Sequence, residues 1–146
     1  YNTHRRTDEA ELSVQYVDFT TLLSTADFVM VMVPLTEKTK GLLGTSEFAM
    51  MKPTARLINT SRGKVIDTMA LYQALKDGKL AAAALDVVEP EPLPGDHPLL
   101  TLPNITITPH IGTSTVETRD AMALLTAKNI LAALEGKPMP AEVLAK

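Results

Sequence analysis

The clearest candidate for chemistry near the middle of the chain is an arginine that follows an apolar run. Residues 55–59 are mostly apolar, and Arg62 and Gly63 come directly after the polar residues that end the run. A guanidinium can hold both oxygens of a small carboxylate at once, and a glycine beside it lets the backbone turn sharply. The alternative is a solvated loop arginine, and this stretch alone does not decide between the two.

Other apolar runs also end in residues that could serve a site. The residues that follow them are Pro34, Asp86 with Glu91, and His110. A histidine can give or take a proton near neutral pH, a neighbouring carboxylate can fix its tautomer, and an arginine can orient an anionic substrate. Together these groups suit proton transfer to the carbonyl oxygen of a small acid.

Each of these residues also has a plain structural explanation. Asp86 could cap a strand end, Glu91 could be a solvated loop charge, and His110 could be a satisfied structural histidine. Taken singly, those explanations are preferred. Because the carboxyl ends of successive parallel strands meet at one edge of a sheet, the set as a whole favours a site.

The elements that must position these residues alternate along the chain. Apolar runs predict strands at residues 14–17, 28–33, 55–59, 82–85 and 105–108. Between or after them, helices are predicted to begin at Asp18, at Thr45 or Ser46, at Asp67, and at Ser114 or Thr115. Alternating strands and helices predict an α/β fold with a doubly wound parallel sheet. The continuous apolar run at residues 28–33 is typical of a strand covered on both faces.

Composition narrows the class of protein. The 146 residues are 45% hydrophobic and 21% charged, as expected for one globular domain, and the net charge of -3 gives no attraction to nucleic acid. There is no cysteine, and the three histidines lie far apart, so neither a disulfide nor a metal site is expected. No run is long enough to span a membrane, and a cytoplasmic location is the default expectation.

Three motifs, in this order along the chain, closely resemble the D-isomer-specific 2-hydroxyacid dehydrogenases. They are Ile58-Asn59-Thr60-Ser61-Arg62-Gly63, Leu85-Asp86-Val87 followed by Glu91-Pro92, and Pro109-His110-Ile111-Gly112. Residues 93–100 and 136–140 are most similar to the glyoxylate and hydroxypyruvate reductase branch of that family, which also includes 2-ketogluconate reductases.

The resemblance implies an oxidoreductase that transfers a hydride from a nicotinamide cofactor to a small 2-oxo acid such as glyoxylate or hydroxypyruvate. Arg62 and His110 would bind the substrate, His110 would donate the proton, and Glu91 would pair with His110. Asp86 would accept a hydrogen bond from the nicotinamide carboxamide. The implied cofactor-binding residues are Asn2, Arg5, Arg6, Pro34, Thr39, Thr60, Ser61, Asp86, His110 and Gly112.

The choice of coenzyme depends on the residue that ends the second strand of such a domain. An acidic residue there binds the ribose 2′-hydroxyl of NAD, whereas arginines accommodate the 2′-phosphate of NADP. In this chain the position resembles Asn2, with Arg5 and Arg6 just after it. NADP is therefore preferred, with NAD as the alternative if the two arginines are only solvated charges.

The chain also departs from the family pattern. It opens at Tyr1, and it lacks the family's N-terminal segment and the first strand, glycine loop and helix. We therefore expect residues 1–137 to be the C-terminal part of a Rossmann-like nucleotide-binding domain without its first βα unit. Residues 138–146 are expected to be a tail that returns to a substrate domain, and the chain alone is expected to be inactive.

The family resemblance also implies a homodimer. A second interpretation is a nucleotide-sensing interaction protein, like the corepressors that resemble this family, which would bind the cofactor without physiological turnover. An unrelated α/β binding module would require the three ordered motifs to be coincidence.

Overall fold

A parallel sheet forms the centre of the fold. The computed structural model describes residues 1, 9 and 11–143. Its four strands lie in the order β1-β2-β3-β4, and all neighbouring pairs are parallel. They are β1 (Phe28–Val31), β2 (Arg56–Asn59), β3 (Ala82–Leu85) and β4 (Ile105–Ile107). The predicted α/β class with a doubly wound type of parallel sheet is confirmed.

Helices follow or precede each strand. They are α1 (Phe19–Thr25), α2 (Thr45–Met50), α3 (Thr68–Lys76) and α4 (Val116–Leu134), with short 3-10 helices at Gly63–Val65 and Pro98–Thr101. Asp18, Asp67 and Thr115 each accept a hydrogen bond from a backbone N–H of the first helical turn. Such capping satisfies N–H groups that have no partner within the helix, and it confirms the predicted starts of α1, α3 and α4.

The start of α2 differs from the prediction. The cap is not Thr45 or Ser46 but Gly44, whose N–H donates to the Glu47 carboxylate at 2.9 Å. Burial acts to raise the pKa of Glu47, but the Gly44 N–H and the Ser46 hydroxyl outweigh it, so the pKa is lowered. The glutamate of the first turn reaches back and accepts the N–H of Gly44, which is the half of a capping box that needs no side chain at the cap.

The core lies on one face of the sheet. Alternate strand residues point into it, among them Val29, Leu57 and Leu85, and they meet buried residues of the helices such as Leu23 and Phe48. A burial period of two residues is what a pleated strand produces. The buried side therefore holds the strands in register, and the register determines where each strand ends.

The prediction that residues 28–33 form a strand covered on both faces is wrong for the described part of the chain. The strand ends at Val31, and its residues alternate between exposed and buried. Phe28 is 62% exposed and Met30 is 59% exposed. The reason is that the buried side chains of α1, α2 and α3 all belong to the core on the opposite face.

The strand predicted at residues 14–17 is also absent from the described residues, where this segment is irregular and Val14 donates its N–H to Glu9 O at 3.0 Å.

The chain divides into two compact units, Tyr1–His110 and Ile111–Lys146. The first contains the whole sheet with α1 to α3, and the second contains α4. The family-derived boundary at residue 137 and the tail at 138–146 remain predictions. Within the described ranges, no helix combines the length and hydropathy that crossing a membrane requires.

Candidate active site

The candidate residues of the first unit follow strands that end level with one another. Asn59 pairs with Leu85, and Leu85 pairs with Ile107. The segments that follow β2, β3 and β4 therefore leave the sheet from the same edge, which is where parallel α/β sheets bind ligands. Arg62, Asp86 and His110 lie on these three segments.

A buried amide builds the turn that presents Arg62. Asn59 is 1% exposed. Its Oδ1 accepts hydrogen bonds from the Ser61 N–H at 3.0 Å and the Ser61 hydroxyl at 2.8 Å, and its Nδ2 donates to Arg62 O at 3.1 Å. The backbone of the turn is thus fixed from below, while the exposed guanidinium donates from Nη1 to Ser61 O at 2.6 Å.

The sequence analysis assigned no role to Asn59, although a signal was present. Asn59 lies on the inward face of β2, the same face as Leu57 two residues earlier, where an apolar residue is expected. Buried polar groups are hydrogen-bonded, so an amide at such a position indicates a loop that needs both a donor and an acceptor.

His110 and Glu91 form a close ion-pair geometry. The distance from His110 Nδ1 to Glu91 Oε1 is 2.6 Å, and both side chains are about half exposed. An ionised carboxylate only accepts hydrogen bonds, so Nδ1 carries the hydrogen. The other ring nitrogen, Nε2, is then the atom that can exchange a proton with a ligand.

The surroundings of Glu91 keep it ionised. The pKa of Glu91 is lowered mainly by the hydrogen bond with His110. Burial acts in the opposite direction, and the Val88 N–H and the charges of His110 and Arg62 lower the pKa further. The positive charge of Arg62 therefore also favours the ionised form of Glu91. Arg62, Glu91 and His110 all follow strands that end at the same edge of the sheet.

The backbone at His110 is unusual. Its φ is 56°, in the left-handed region that residues other than glycine seldom adopt, and its N–H donates to Thr108 O at 3.0 Å. Strained backbone of this kind concentrates at functional sites. The tight turn directly after β4 sets the direction in which the imidazole leaves the sheet edge.

Asp86 is fixed by a neighbour on the next strand. Its Oδ1 accepts a hydrogen bond from the Thr108 hydroxyl at 2.5 Å, and its N–H donates to Asn59 O at 3.0 Å. Thr108, which the sequence analysis did not single out, therefore orients the carboxylate. Thr108 lies two residues before His110 in the sequence.

A cavity of about 560 Å³ lies beside these residues. Its volume is within the range of small-molecule sites. The polar residues that line the cavity include Asp86, Glu91 and His110. The apolar residues that line it include Leu93, Leu100 and Ile107. Such a site can exclude water from an apolar ligand surface while directing a few polar groups at the reacting atoms.

Two other predicted residues shape the loop after β1. Thr39 is 2% exposed, and its hydroxyl donates to Pro34 O at 2.6 Å and accepts from the Thr36 N–H at 2.8 Å. Its hydroxyl is therefore engaged within the loop, and any effect on a ligand would pass through Pro34. A hollow of about 660 Å³ is lined in part by Pro34, Thr36 and Thr39.

The remaining predicted cofactor residues are placed as follows. Thr60 is exposed at the end of β2, where its hydroxyl lies 3.2 Å from Met32 Sδ. Gly112 belongs to the second compact unit. The positions predicted to select the coenzyme, Asn2, Arg5 and Arg6, lie outside the described residues.

The fold and the site together define a Rossmann-like α/β domain with a histidine–glutamate pair at the carboxyl edge of its sheet. Residues 1–112 match the family model described as D-isomer specific 2-hydroxyacid dehydrogenase, NAD binding domain. The chain therefore belongs to this family, as the three motifs predicted.

Individual relatives agree with the family assignment. The chain is 50% identical over 139 residues to the human glyoxylate reductase/hydroxypyruvate reductase, covering 95% of this chain and 42% of that protein. It is 49% identical over 141 residues to the glyoxylate reductase of Korarchaeum cryptofilum, covering 96% of this chain and 42% of that protein. The chain thus spans less than half the length of these relatives.

A solved structure shows the same fold. The D-lactate dehydrogenase of Lactobacillus jensenii, in its crystal structure with NAD+, superposes with a TM-score of 0.88 at 31% identity, covering 99% of this chain and 47% of that one. The match includes nearly the whole chain, so it supports the arrangement of strands and helices described above.

The donor and acceptor groups at the sheet edge fit a nicotinamide cofactor. The Asp86 carboxylate, held by Thr108, is an acceptor suited to a carboxamide NH₂ group. It lies at the carboxyl end of β3, beside the cavity that His110 and Glu91 also line. A dinucleotide that follows this edge would have its reactive ring next to a group that can move a proton.

Proposed function

We propose that the protein reduces a small 2-oxo acid, such as glyoxylate or hydroxypyruvate, to the 2-hydroxy acid. Family membership and the identity of about 50% to a human protein named for these two reductions support the proposal. The observation that carries it is the 2.6 Å contact between His110 Nδ1 and Glu91 Oε1, on the sheet edge that also presents Arg62 and Asp86.

His110 is the proposed proton donor. In its protonated form the imidazole donates from Nδ1 to Glu91 and presents the Nε2 hydrogen to the carbonyl oxygen of the substrate. When the 2-oxo carbon receives a hydride, the oxygen takes this proton and becomes the hydroxyl of the product. Neutral His110 can then accept a proton from water, and the reverse sequence describes oxidation of the 2-hydroxy acid.

Arg62 is the proposed carboxylate ligand. One of its N–H groups donates to Ser61 O, which holds the guanidinium beside its own loop while other N–H groups remain able to reach a substrate. Two parallel hydrogen bonds to a carboxylate would fix the orientation of the 2-oxo acid. The positive charge would also help to polarise the adjacent carbonyl group.

A nicotinamide cofactor would be held at the same edge. Asp86 would bind its carboxamide, and Pro34, Thr60, Ser61 and Gly112 are the other proposed contacts from the described residues. Thr39 would act on the cofactor through Pro34. When bound, the cofactor supplies the hydride. We prefer NADP to NAD because Arg5 and Arg6 could bind a 2′-phosphate and Asn2 would not repel it. We also expect that the protein forms a homodimer and lies in the cytoplasm.

The proposal is tested by the rates at which NADPH and NADH are oxidised with glyoxylate or hydroxypyruvate by the protein at its natural full length. Fast oxidation of NADPH, and a selective rise in its KM in Arg5→Ala and Arg6→Ala variants, is the expected result. His110→Ala should lower kcat by at least about 100-fold.

A control histidine is available. The Nδ1 of His97 accepts a hydrogen bond from the Leu99 N–H and lies outside the pair, so His97→Ala should leave kcat nearly unchanged. Coenzyme binding without turnover of any 2-oxo acid would instead favour a nucleotide-sensing interaction protein.

A further inference from the structure

The segment that carries Glu91 is clamped against the start of α3. The Thr68 hydroxyl, at the first residue of that helix, donates to Glu89 O at 3.0 Å in a partly buried position. Lys64 Nζ lies 3.7 Å from Glu89 Oε1. Both contacts act on Glu89, which lies two residues before Glu91 in the sequence.

A close backbone approach completes the clamp. A Cβ atom on Gly63 would lie 2.0 Å from Val88 O, so only glycine permits the two segments to come this near. The N–H of the same Val88 also helps to lower the pKa of the Glu91 carboxyl group. A shift of Val88 would therefore alter the surroundings of the group that pairs with His110.

The three contacts differ in how strongly they can hold the segment that carries Glu91 in place. The Lys64–Glu89 pair is long, and its side chains are 51% and 45% exposed, so it contributes little. Because Gly63 has no side chain, its backbone can approach that of Val88, but this approach contributes no attraction between the two segments. The Thr68 hydrogen bond is partly shielded from water and has good geometry, which makes it the contact best able to hold the segment.

We propose that Thr68 is a positioning residue, which holds the Val88–Glu91 segment so that the Glu91 carboxylate meets His110. Its consequence for catalysis rests on the proposed function. Without the hydroxyl, the segment can move away from α3, the carboxylate loses alignment with both the Val88 N–H and His110 Nδ1, and the imidazole loses the contact that sets its orientation.

The test compares Thr68→Val with Thr68→Ser in the protein at its natural full length. Valine keeps the shape and removes the donor, whereas serine keeps the donor, and Asp67 still caps α3 in both variants. We expect Thr68→Val to lower kcat about tenfold, with KM for the coenzyme changed less than about twofold. Thr68→Ser should retain the activity of the unaltered protein.

A second readout does not depend on turnover. The titration of the Glu91 carboxyl carbon, followed by NMR in protein with 13C-labelled glutamate and assigned with a Glu91→Gln variant, should move to higher pH in Thr68→Val and stay in place in Thr68→Ser. The control is Thr101→Val, since the Thr101 hydroxyl also donates to a backbone carbonyl, Pro98 O at 2.7 Å, but lies outside the clamp.

The outcomes separate the two proposals. An unchanged Glu91 titration and unchanged kcat in Thr68→Val would overturn the positioning role and leave the reductase proposal standing. Equal losses in the valine and serine variants would also overturn it, because the hydroxyl would then be irrelevant. If the unaltered protein shows no turnover, the reductase proposal fails, but a shifted titration in Thr68→Val alone would still support the positioning role.

Discussion

Replacing Gly63 with alanine should displace the segment that carries Glu91. The added Cβ would lie 2.0 Å from Val88 O and 2.2 Å from Val88 C, whereas real Cβ contacts are at least 3.0 Å. The Val88 carbonyl must therefore retreat by about 1 Å, and the obstacle is backbone that cannot rotate away. Overpacking of this kind costs about 1–3 kcal/mol of stability.

A loss of turnover should accompany the loss of stability. A misplacement of about 1 Å in a catalytic group can cost about 100-fold in rate. We expect Gly63→Ala to lower kcat by about 10-fold to 100-fold, and to lower the urea midpoint by the equivalent of the overpacking cost. Both quantities should be measured on the protein at its natural full length, with NADPH and glyoxylate for the rate.

Gly95 provides the matched control. A Cβ on Gly95 meets nothing within 4 Å, and Gly95 is not among the residues with positive φ. Gly95→Ala should change the free energy of unfolding by less than about 0.5 kcal/mol and leave kcat unchanged. If Gly63→Ala behaves like Gly95→Ala in both assays, the clamp between the two segments does not exist in solution.

Other changes test separate parts of the site. The pKa of Glu91 is lowered from 4.5, so reductase activity should persist into mildly acidic solution and fall only as Glu91 is protonated; Glu91→Gln should remove that acidic limb and lower kcat across the pH range. Arg62→Lys should raise KM for glyoxylate about tenfold but leave the reduction of a dicarbonyl without a carboxylate unaffected, and equal losses on both substrates would contradict the carboxylate role. Asn59→Leu leaves the Ser61 N–H and Arg62 carbonyl without their partner, and urea denaturation should show a loss of about 2–4 kcal/mol.

The sequence was sufficient to predict the parts of the fold that local patterns encode. Alternating apolar runs and capping residues such as Asp67 predicted the parallel sheet and the helix starts, because caps and periodicity act within one turn or one strand. The prediction that both faces of the strand at residues 28–33 are covered was wrong. Hydrophobicity indicates that a residue prefers to be buried, but it does not indicate which helix packs on each face of the strand. The strand predicted at residues 14–17 is not formed either, where the described segment is irregular.

The supporting residues of the site were beyond the reach of local patterns. Thr108 reaches Asp86 across 22 positions in sequence, and Thr68 reaches Glu89 across 21. Threonines are common in loops and helix starts, so nothing in their immediate sequence distinguishes these two from solvated ones. Asn59 is different, because a polar residue in an inward strand position is itself a signal.

The site residues fall into two groups according to what holds them. Arg62 and Asp86 follow strands directly and are tied by Asn59 and Thr108, which belong to the sheet or its immediate edge, so the register of the core sets their positions. Glu91 instead lies five residues beyond Asp86, in a loop whose position depends on contacts with α3. Its alignment with His110 is therefore the part of the site most easily altered without unfolding the sheet. Substitutions in the clamp should accordingly lower kcat while the sheet stays folded, whereas substitutions at Asn59 should destabilise the edge of the sheet itself.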